Sequence, residues 1–139
     1  MQPPRGVRRR LMRNMLRGKI HRATVTRADL EYEGSISIDK TLMEGAGIVE
    51  WEQVHVLDLT NGTRLQTYAI RAPAGSGEIC VNGAAAHLVQ PGNRVIILSY
   101  EGVPEERLAE HRPRIVHVDE RNQIVERPAT IAAAEGARR

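Results

Sequence analysis

The stretch EQVHVLDLTNGTRLQTYAIR, residues 52–71, decides the fold class of this chain. Two runs of strand length, 52–59 and 64–71, flank the pair Asn61-Gly62. Because Asn and Gly tolerate positive φ, an Asn-Gly pair between two such runs is a strong short-range signal for a β-hairpin. The stretch therefore predicts two antiparallel strands joined by a tight turn.

Further strands are predicted on both sides of this hairpin. Residues 16–27 are rich in Ile, Val and Thr, which favours a strand. Alternate residues of a strand share a face, which would place Lys19, His21, Ala23 and Val25 together. The remaining predicted strands are 78–81, 94–100 and 114–118.

Predicted helices are short and few. Asp39 is a candidate N-cap for a helix over 40–45, and Asn82 is one for a helical turn that begins at Gly83. A third short helix is predicted over 105–111. Six or more short strands, with turns about every ten residues, predict a mainly β chain folded as a small barrel or sandwich. The chain has no motif of a Rossmann unit, a P-loop or a zinc site.

Composition limits how the core can be built. The chain has 139 residues, the length of one domain, and 41% of them are hydrophobic. It contains no Phe, one Trp and three Tyr, so the core must consist of Val, Ile, Leu and Ala. Association between subunits could supplement so small a core.

The positive charge of the chain is concentrated at its ends. The net charge is +3, and residues 1–14 contain five arginines and no acidic residue, so the rest of the chain is slightly acidic. This distribution argues against a nucleic-acid-binding face on the folded part. We expect a basic disordered extension over 1–14, a single β-barrel domain over 15–127 and a flexible tail over 128–139.

Cysteine content and hydropathy bear on location. Cys80 is the single cysteine, so no disulfide can form within the chain, which favours a reducing cytoplasm. The longest apolar runs span only a few residues, which is too short to cross a bilayer. We therefore expect a cytoplasmic protein that contacts no membrane. Cys80 itself is predicted to be a buried spectator thiol.

The pair Gly34-Ser35 gains meaning from its surroundings. Alone, a Gly-Ser pair is an ordinary turn that leads into a strand. Its surroundings, however, resemble the pyruvoyl-dependent aspartate decarboxylases of bacteria over about residues 12–125. The segments that carry this resemblance, in the family's order and spacing, are LRGKIH (16–21), YEGS (32–35), TNGTRLQTYAI (60–70) and NGAAAH (82–87).

The resemblance implies a fold and an activity. The fold would be a six-stranded barrel of the double-psi type with short helices. The activity would be α-decarboxylation of L-aspartate to β-alanine and CO2, feeding pantothenate biosynthesis. The chain would be a proenzyme that cleaves itself after Gly34, and it would act as a homotetramer with sites at subunit interfaces. A maturation factor is a further candidate partner.

The chemistry of the residues is consistent with this activity. Loss of the α-carboxylate leaves a carbanion that needs an electron sink, and the chain shows no phosphate-binding loop for pyridoxal phosphate. The Ser35 hydroxyl could instead attack the Gly34 carbonyl to form an ester. β-Elimination and hydrolysis would then leave a pyruvoyl group at residue 35. Glycine at position 34 tolerates the strained backbone geometry that such an attack needs.

The resemblance also implies individual roles. Ser35 would become the pyruvoyl group, and Tyr68 would be the proton donor, unless it is a packing residue. Thr67 would contact the cleavage region and the substrate, or it is a buried strand threonine. Asn82 would be a helix cap, a substrate contact or a polariser of the Gly34 carbonyl. Backbone N–H groups of a small-residue turn would bind a carboxylate, and these residues are Gly83, Ala84 and Ala85.

Two carboxylates on the substrate call for cationic partners. Arg64 is the first candidate because guanidinium binds carboxylate bidentately, and Lys19 and His21 follow. Each could instead be a solvated surface group. Within one strand, Arg64 and Tyr68 would share a face but lie roughly 13 Å apart. They could contact one small substrate only across a subunit boundary or after a bend in the strand.

Two other functions compete with this interpretation. One is a non-enzymatic β-barrel that binds nucleic acid through its basic ends. The other is a serine hydrolase that uses Ser35 with His21, although the chain lacks a nucleophile elbow there. No metal site is expected, because the other histidines, His55, His111 and His117, lack metal-ligand spacing.

Overall fold

The computed structural model describes residues 11–126 and is built mainly from β-strands. These described residues contain one α-helix, α1 (Lys40–Ala46), and two 3-10 helices, Gly83–His87 and Glu105–Glu110. The nine strands are β1 (Met12–Thr24), β2 (Arg27–Asp29), β3 (Ile36–Asp39), β4 (Gln53–Asp58), β5 (Arg64–Ala72), β6 (Ile79–Asn82), β7 (Arg94–Pro104), β8 (Arg114–Val118) and β9 (Ile124–Val125). The prediction of a mainly β chain with short helices is confirmed.

The strands form one hydrogen-bonded order, β2-β6-β3-β5-β4-β7-β1-β8-β9. Within the described residues the order has two ends and does not close, and it contains nine strands where six were predicted. The six or more strands predicted from the sequence pattern are therefore present, and only the count of six that the family resemblance implied differs. The unpredicted strands β2, β3 and β9 have two to four residues each, too few to show a periodic pattern in the sequence.

The hairpin predicted from residues 52–71 is confirmed. Strands β4 and β5 are antiparallel, and their ladder runs without a register shift from Gln53↔Tyr68 to Leu57↔Arg64. Asp58 closes the turn, because its carboxylate accepts hydrogen bonds from the backbone N–H groups of Thr60 and Asn61. The turn therefore fixes which residues of β5 point to each side of the sheet.

Strand β1 spans Met12–Thr24, whereas residues 16–27 were predicted. It begins at Met12 and pairs with β7 from there, so residues 12–14 do not belong to a disordered extension. A register shift between Ile20 and Ala23, with Arg22 at φ 66°, then interrupts its alternation. As a result Ala23 lies in the core, whereas Lys19 and His21 are only half-buried. The prediction that Lys19, His21, Ala23 and Val25 share one face is wrong, because the bulge inserts one extra residue into the alternation of the strand. The other predicted tail segments, 1–10 and 127–139, lie outside the described residues.

The core consists of branched aliphatic residues, as the composition predicts. The largest fully buried side chains include Ile20, Ile36, Ile38, Ile79 and Ile97. They belong to one buried cluster that also includes Leu42, Met43 and Ala46 of helix α1. Among residues 11–126 no helix is long and apolar enough to cross a membrane.

Buried Asp39 joins this core to the loop that precedes β6. Its carboxylate caps α1 by accepting a 2.8 Å hydrogen bond from the N–H of Thr41, which confirms the predicted N-cap. The same carboxylate accepts hydrogen bonds from the N–H groups of Gly75 and Gly77. Strands β3 and β6 are thereby held side by side.

Candidate active site

The pair Gly34-Ser35, named the cleavage pair after its predicted reaction, lies between β2 and β3 in an unusual backbone conformation. Gly34 has φ 23° and Ser35 has φ 95°, and the Ser35 side chain is only 1% exposed. A non-glycine residue at such a φ is uncommon, and it persists only where the surrounding structure holds it in place. Strand β3, which follows directly, pairs with both β5 and β6 and supplies that support.

Asn82 at the end of β6 holds Ser35 at two points. Its backbone N–H donates to the Ser35 carbonyl over 3.0 Å, and its side-chain amide donates to Ser35 Oγ over 3.0 Å. The same amide donates to Ser37 Oγ over 3.1 Å. Asn82 makes no side-chain cap to the 3-10 helix, so its prediction as a helix cap is wrong. The amide instead satisfies two neighbouring serine hydroxyls.

The thiol of Cys80 takes part in this network. Its sulfur, buried as predicted, donates to Asn82 Oδ1 over 3.3 Å. Burial, the main cause, raises the pKa of Cys80, which keeps the sulfur protonated and able to donate. Because the Cys80 thiol donates to the carbonyl oxygen of the Asn82 amide, the NH2 group of that amide is directed at Ser35.

Gly83 lies against the cleavage pair and has φ 66°. A Cβ built on Gly83 would lie 2.7 Å from the Gly34 nitrogen and 2.9 Å from the Gly34 Cα. Any side chain at position 83 would therefore displace the backbone of Gly34. The 3-10 helix that begins here presents Ala84 on the surface and Ala85 half-buried.

Tyr68 lies on β5, close to the cleavage pair in the sheet. Strands β3 and β5 are parallel, and Ile36, next to Ser35, pairs with Ala69, next to Tyr68. A Cβ built on Gly34 would lie 3.9 Å from the Tyr68 hydroxyl. A cavity of about 330 Å³ opens beside the ring, and its lining residues are Glu31, Tyr32, Glu33, Trp51, Tyr68 and Ile70.

The other predicted residues on β5 lie elsewhere. Thr67 is half-buried and pairs with Val54, on the side of the strand opposite Tyr68. Arg64 is exposed and pairs with Leu57 at the far end of the ladder. Because that ladder is unbroken, the backbones of Arg64 and Tyr68 are separated by roughly 13 Å along the strand. The single chain does not bring Arg64 to the cleavage pair.

Lys19 and His21 lie on β1, three strands from β5 in the sheet order, and they pair with Ile115 and His117 of β8. The rings of His21 and His117 are 5.4 Å apart. Burial, followed by the positive charge of Lys19, lowers the pKa of His21 to about 4. His21 is therefore uncharged at neutral pH, and it is not a cationic anchor for a carboxylate.

Sequence reasoning missed two groups around the cleavage pair. One is the hydrogen-bond network of Ser37 and Cys80 described above. The other is Trp51, whose indole stacks on Tyr68 with ring centroids 5.8 Å apart. The sequence signal for Trp51 was its status as the only tryptophan in a chain with few aromatics. Within residues 11–126, no three His, Cys, Asp or Glu side chains group as a metal site would need.

A family model described as aspartate decarboxylase matches residues 11–125. The chain belongs to this family. The match covers the cleavage pair, the hairpin and the Asn82 turn, so the family resemblance inferred from the sequence is confirmed.

Curated relatives cover most of the chain. The aspartate 1-decarboxylase of Mycolicibacterium smegmatis is 59% identical over 83% of this chain and 85% of its own length. The enzyme of the same name from Dehalococcoides mccartyi is 56% identical over 79% of this chain and 89% of its own. Aspartate 1-decarboxylase 1 of Gloeobacter violaceus is 57% identical over 83% and 98%.

Among solved structures, the rationally designed protein mkDPBB_sym_86 superposes with a TM-score of 0.43 at 15% identity. The superposition covers 55% of this chain and 90% of the designed one.

Proposed function

We propose that this chain is a proenzyme that cleaves itself between Gly34 and Ser35 and then decarboxylates L-aspartate to β-alanine and CO2. The observation that carries the proposal is the buried Ser35, held at φ 95° with its Oγ bonded to Asn82. Membership of the aspartate decarboxylase family supplies the reaction class. The product would feed pantothenate synthesis in a reducing cytoplasm, where the unpaired thiol of Cys80 is stable.

The cleavage uses groups of the chain alone. Ser35 Oγ attacks the Gly34 carbonyl carbon, and the peptide nitrogen leaves, so that the amide becomes an ester with a free amine at residue 35. Loss of the Ser35 α-proton then breaks the Cβ–Oγ bond, and Gly34 departs as a carboxylate that retains Oγ. The remaining enamine tautomerises, and water replaces its nitrogen, which leaves as ammonia. The products are a 1–34 fragment and a 35–139 fragment that begins with a ketone.

The local geometry favours this first attack. Strain at Ser35 raises the energy of the intact chain and is released once the peptide bond is broken. The Asn82 amide fixes the Ser35 hydroxyl in one orientation, and the tight contact of Gly83 restricts the Gly34 backbone. The described hydrogen bonds of Asn82 reach Ser35 Oγ and not the Gly34 carbonyl, so its role is to orient the nucleophile.

The residues around position 35 fit a pyruvoyl group. Serine is its chemical precursor, Ser35 is buried, and Asn82 provides an N–H donor beside the reacting oxygen. When present, this group supplies the electron sink that accepts the carbanion left by departing CO2. Tyr68, which lines the adjoining cavity and whose hydroxyl would lie 3.9 Å from a Cβ built on Gly34, holds the proton that the former α-carbon receives. Backbone N–H groups of Gly83, Ala84 and Ala85 would bind the substrate carboxylate.

A second copy of the chain completes the substrate site. A cross-strand row joins Gln66, His55, Leu98, Lys19 and Ile115 on the outer side of the sheet, and Arg64 lies on the same side two residues before Gln66. Ile115 and Tyr100 are exposed on this side of the sheet, which also carries Arg64 and Lys19. A neighbour that packs there in a homotetramer would bring Arg64 and Lys19 to the Tyr68 cavity of another subunit. His21 would join as a neutral hydrogen-bonding group.

The competing functions receive less support. The basic residues that suggested nucleic-acid binding lie mostly in 1–10, outside the described residues, and the family is one of decarboxylases. A serine hydrolase would need a base at Ser35, but the Ser35 hydroxyl bonds to Asn82, and His21 packs against His117. Intact-mass measurement of the purified protein tests the proposed cleavage directly.

A further inference from the structure

Trp51 adopts a backbone conformation that its own burial does not explain. It lies in the turn between α1 and β4 at φ 74°, a region that bulky residues rarely occupy. Its side chain is 69% exposed in the chain, so the strain is not offset by packing in the core. Strain of this kind at the edge of a cavity suggests a functional constraint.

The turn that carries Trp51 is tied to three strands. The N–H of Trp51 donates to the Ala69 carbonyl over 2.8 Å, and the N–H of Ala69 donates to the Glu52 carbonyl over 2.9 Å. The Glu52 carboxylate forms an ion pair with Arg17 of β1 at 2.6 Å. Arg17 also contacts Glu101 of β7 over 3.2 Å. The strained backbone is therefore held rigidly beside β5.

The turn held in this way places the Trp51 indole on the ring of Tyr68. The Trp51 and Tyr68 rings are 5.8 Å apart with an interplanar angle of 22°, an offset stack. Both rings line the cavity beside Gly34. A Tyr ring that is only half-buried would otherwise be free to turn about its side-chain torsions. The stack covers one face of the ring and restricts that freedom.

We propose that Trp51 is a positioning residue that holds the Tyr68 hydroxyl toward the reacting carbon. The inference rests on the proposed function, in which Tyr68 is the proton donor. A positioned acid contributes only when it is within hydrogen-bonding reach of the atom it protonates. Trp51 itself touches neither Gly34 nor Ser35 among the described contacts, so its effect passes through Tyr68.

The first test is a double-mutant cycle measured on the matured enzyme. Trp51→Asn removes the stack but keeps the backbone, because Asn tolerates positive φ. It should lower kcat about tenfold while leaving the KM for L-aspartate within about twofold, and Trp51→Phe should recover most of the loss. Tyr68→Phe should lower kcat on the order of 10²-fold. In that background Trp51→Asn should have no further effect, since coupled residues are not additive. Val49→Ala, in the same turn without a stack, is the matched control.

The second test reads the ring directly, without turnover. The chain has three tyrosines, so biosynthetic fluorotyrosine gives a simple fluorine NMR spectrum, and Tyr68→Phe assigns one signal. Trp51→Asn should shift and broaden the Tyr68 signal, because the ring current of the stacked indole is lost. The signal of Tyr100, whose ring packs against His55, should stay in place.

The outcomes separate the inference from the proposed function. If Tyr68→Phe turns over at the parent rate, the proposed acid is wrong. If Tyr68→Phe is impaired but Trp51→Asn has the parent kcat or an unmoved fluorine signal, only the role of Trp51 is overturned. Trp51→Gly, which also accepts positive φ, serves as a second variant. Loss of folding or of self-cleavage in both variants would overturn the inference, because Trp51 would then be a structural residue.

Discussion

The side-chain amide of Asn82 donates to Ser35 Oγ over 3.0 Å, and the backbone N–H of Asn82 donates to the Ser35 carbonyl over the same distance. One residue thus fixes both the nucleophile of the proposed cleavage and the backbone that carries it. The thiol of Cys80 orients the amide from its other end.

Removing the Asn82 amide should slow cleavage. Asn82→Ala deletes a hydrogen bond that contributes about 1 kcal/mol, and it frees the Ser35 hydroxyl to rotate, so we expect cleavage to slow by about tenfold or more. The measurement is the time course of the intact band on denaturing gels. Ser37→Ala, which leaves the bond to Ser35 in place, should cleave near the parent rate. Equal rates for Asn82→Ala and the parent would exclude Asn82 from the reaction.

A side chain at position 83 should block cleavage by displacing Gly34. In Gly83→Ala the new Cβ would meet the Gly34 backbone at 2.7 Å, in addition to the strain of φ 66°. Gly92→Ala is the matched control, because Gly92 also has a positive φ, of 89°, but a Cβ there meets nothing within 4 Å. Both variants should lose some thermal stability, and only Gly83→Ala should remain uncleaved. Cleavage of both at one rate would mean that the contact with Gly34 is irrelevant.

Arg64 should matter for substrate and not for cleavage. Arg64→Ala leaves the Ser35 environment untouched, so the variant should mature normally but lose useful decarboxylation of L-aspartate. Arg64→Lys should recover only part of the activity, since it keeps the charge but loses the bidentate geometry. Arg71→Ala, an exposed arginine on the same strand that pairs with Glu50, should retain parent kinetics. Unchanged turnover in Arg64→Ala would remove Arg64 from the site.

The lowered pKa of His21 predicts a specific pH dependence of stability. Its pKa is about 4 in the folded chain and about 6.5 when unfolded, so the unfolded state binds the proton more tightly. The resulting stabilisation is present above pH 6.5 and is lost as the pH falls from about 6.5 toward 4. His21→Gln should therefore show a shallower loss of thermal stability over this range. A steep loss equal to that of the parent would assign the effect to other groups.

The sequence predicted elements that local chemistry defines. The hairpin at 52–71 and the Asp39 cap were found because Asn-Gly and an aspartate before a helix act within a few residues. The cleavage pair was predicted through family motifs, since nothing about Gly34-Ser35 alone distinguishes it from a turn.

What sequence reasoning missed depends on tertiary contacts. The bulge at Arg22 moved Ala23 into the core, and no local signal announces such an insertion. Asn82 was a candidate helix cap because its preference for that position is strong, but its amide donates instead to the hydroxyls of Ser35 and Ser37. The stack of Trp51 on Tyr68 joins a turn to a strand residue 17 positions later. It depends on the positive φ of Trp51, for which the sequence carries no local signal.

The intact mass of the purified, matured protein tests the central claim most directly. Self-cleavage predicts a fragment that ends at Gly34 and a 35–139 fragment lighter by one ammonia than the peptide that begins with Ser35. The larger fragment should resist N-terminal sequencing, and Ser35→Ala should remain a single chain. A larger fragment with the full mass of the Ser35 peptide, which sequences normally, would show simple proteolysis and would contradict the account.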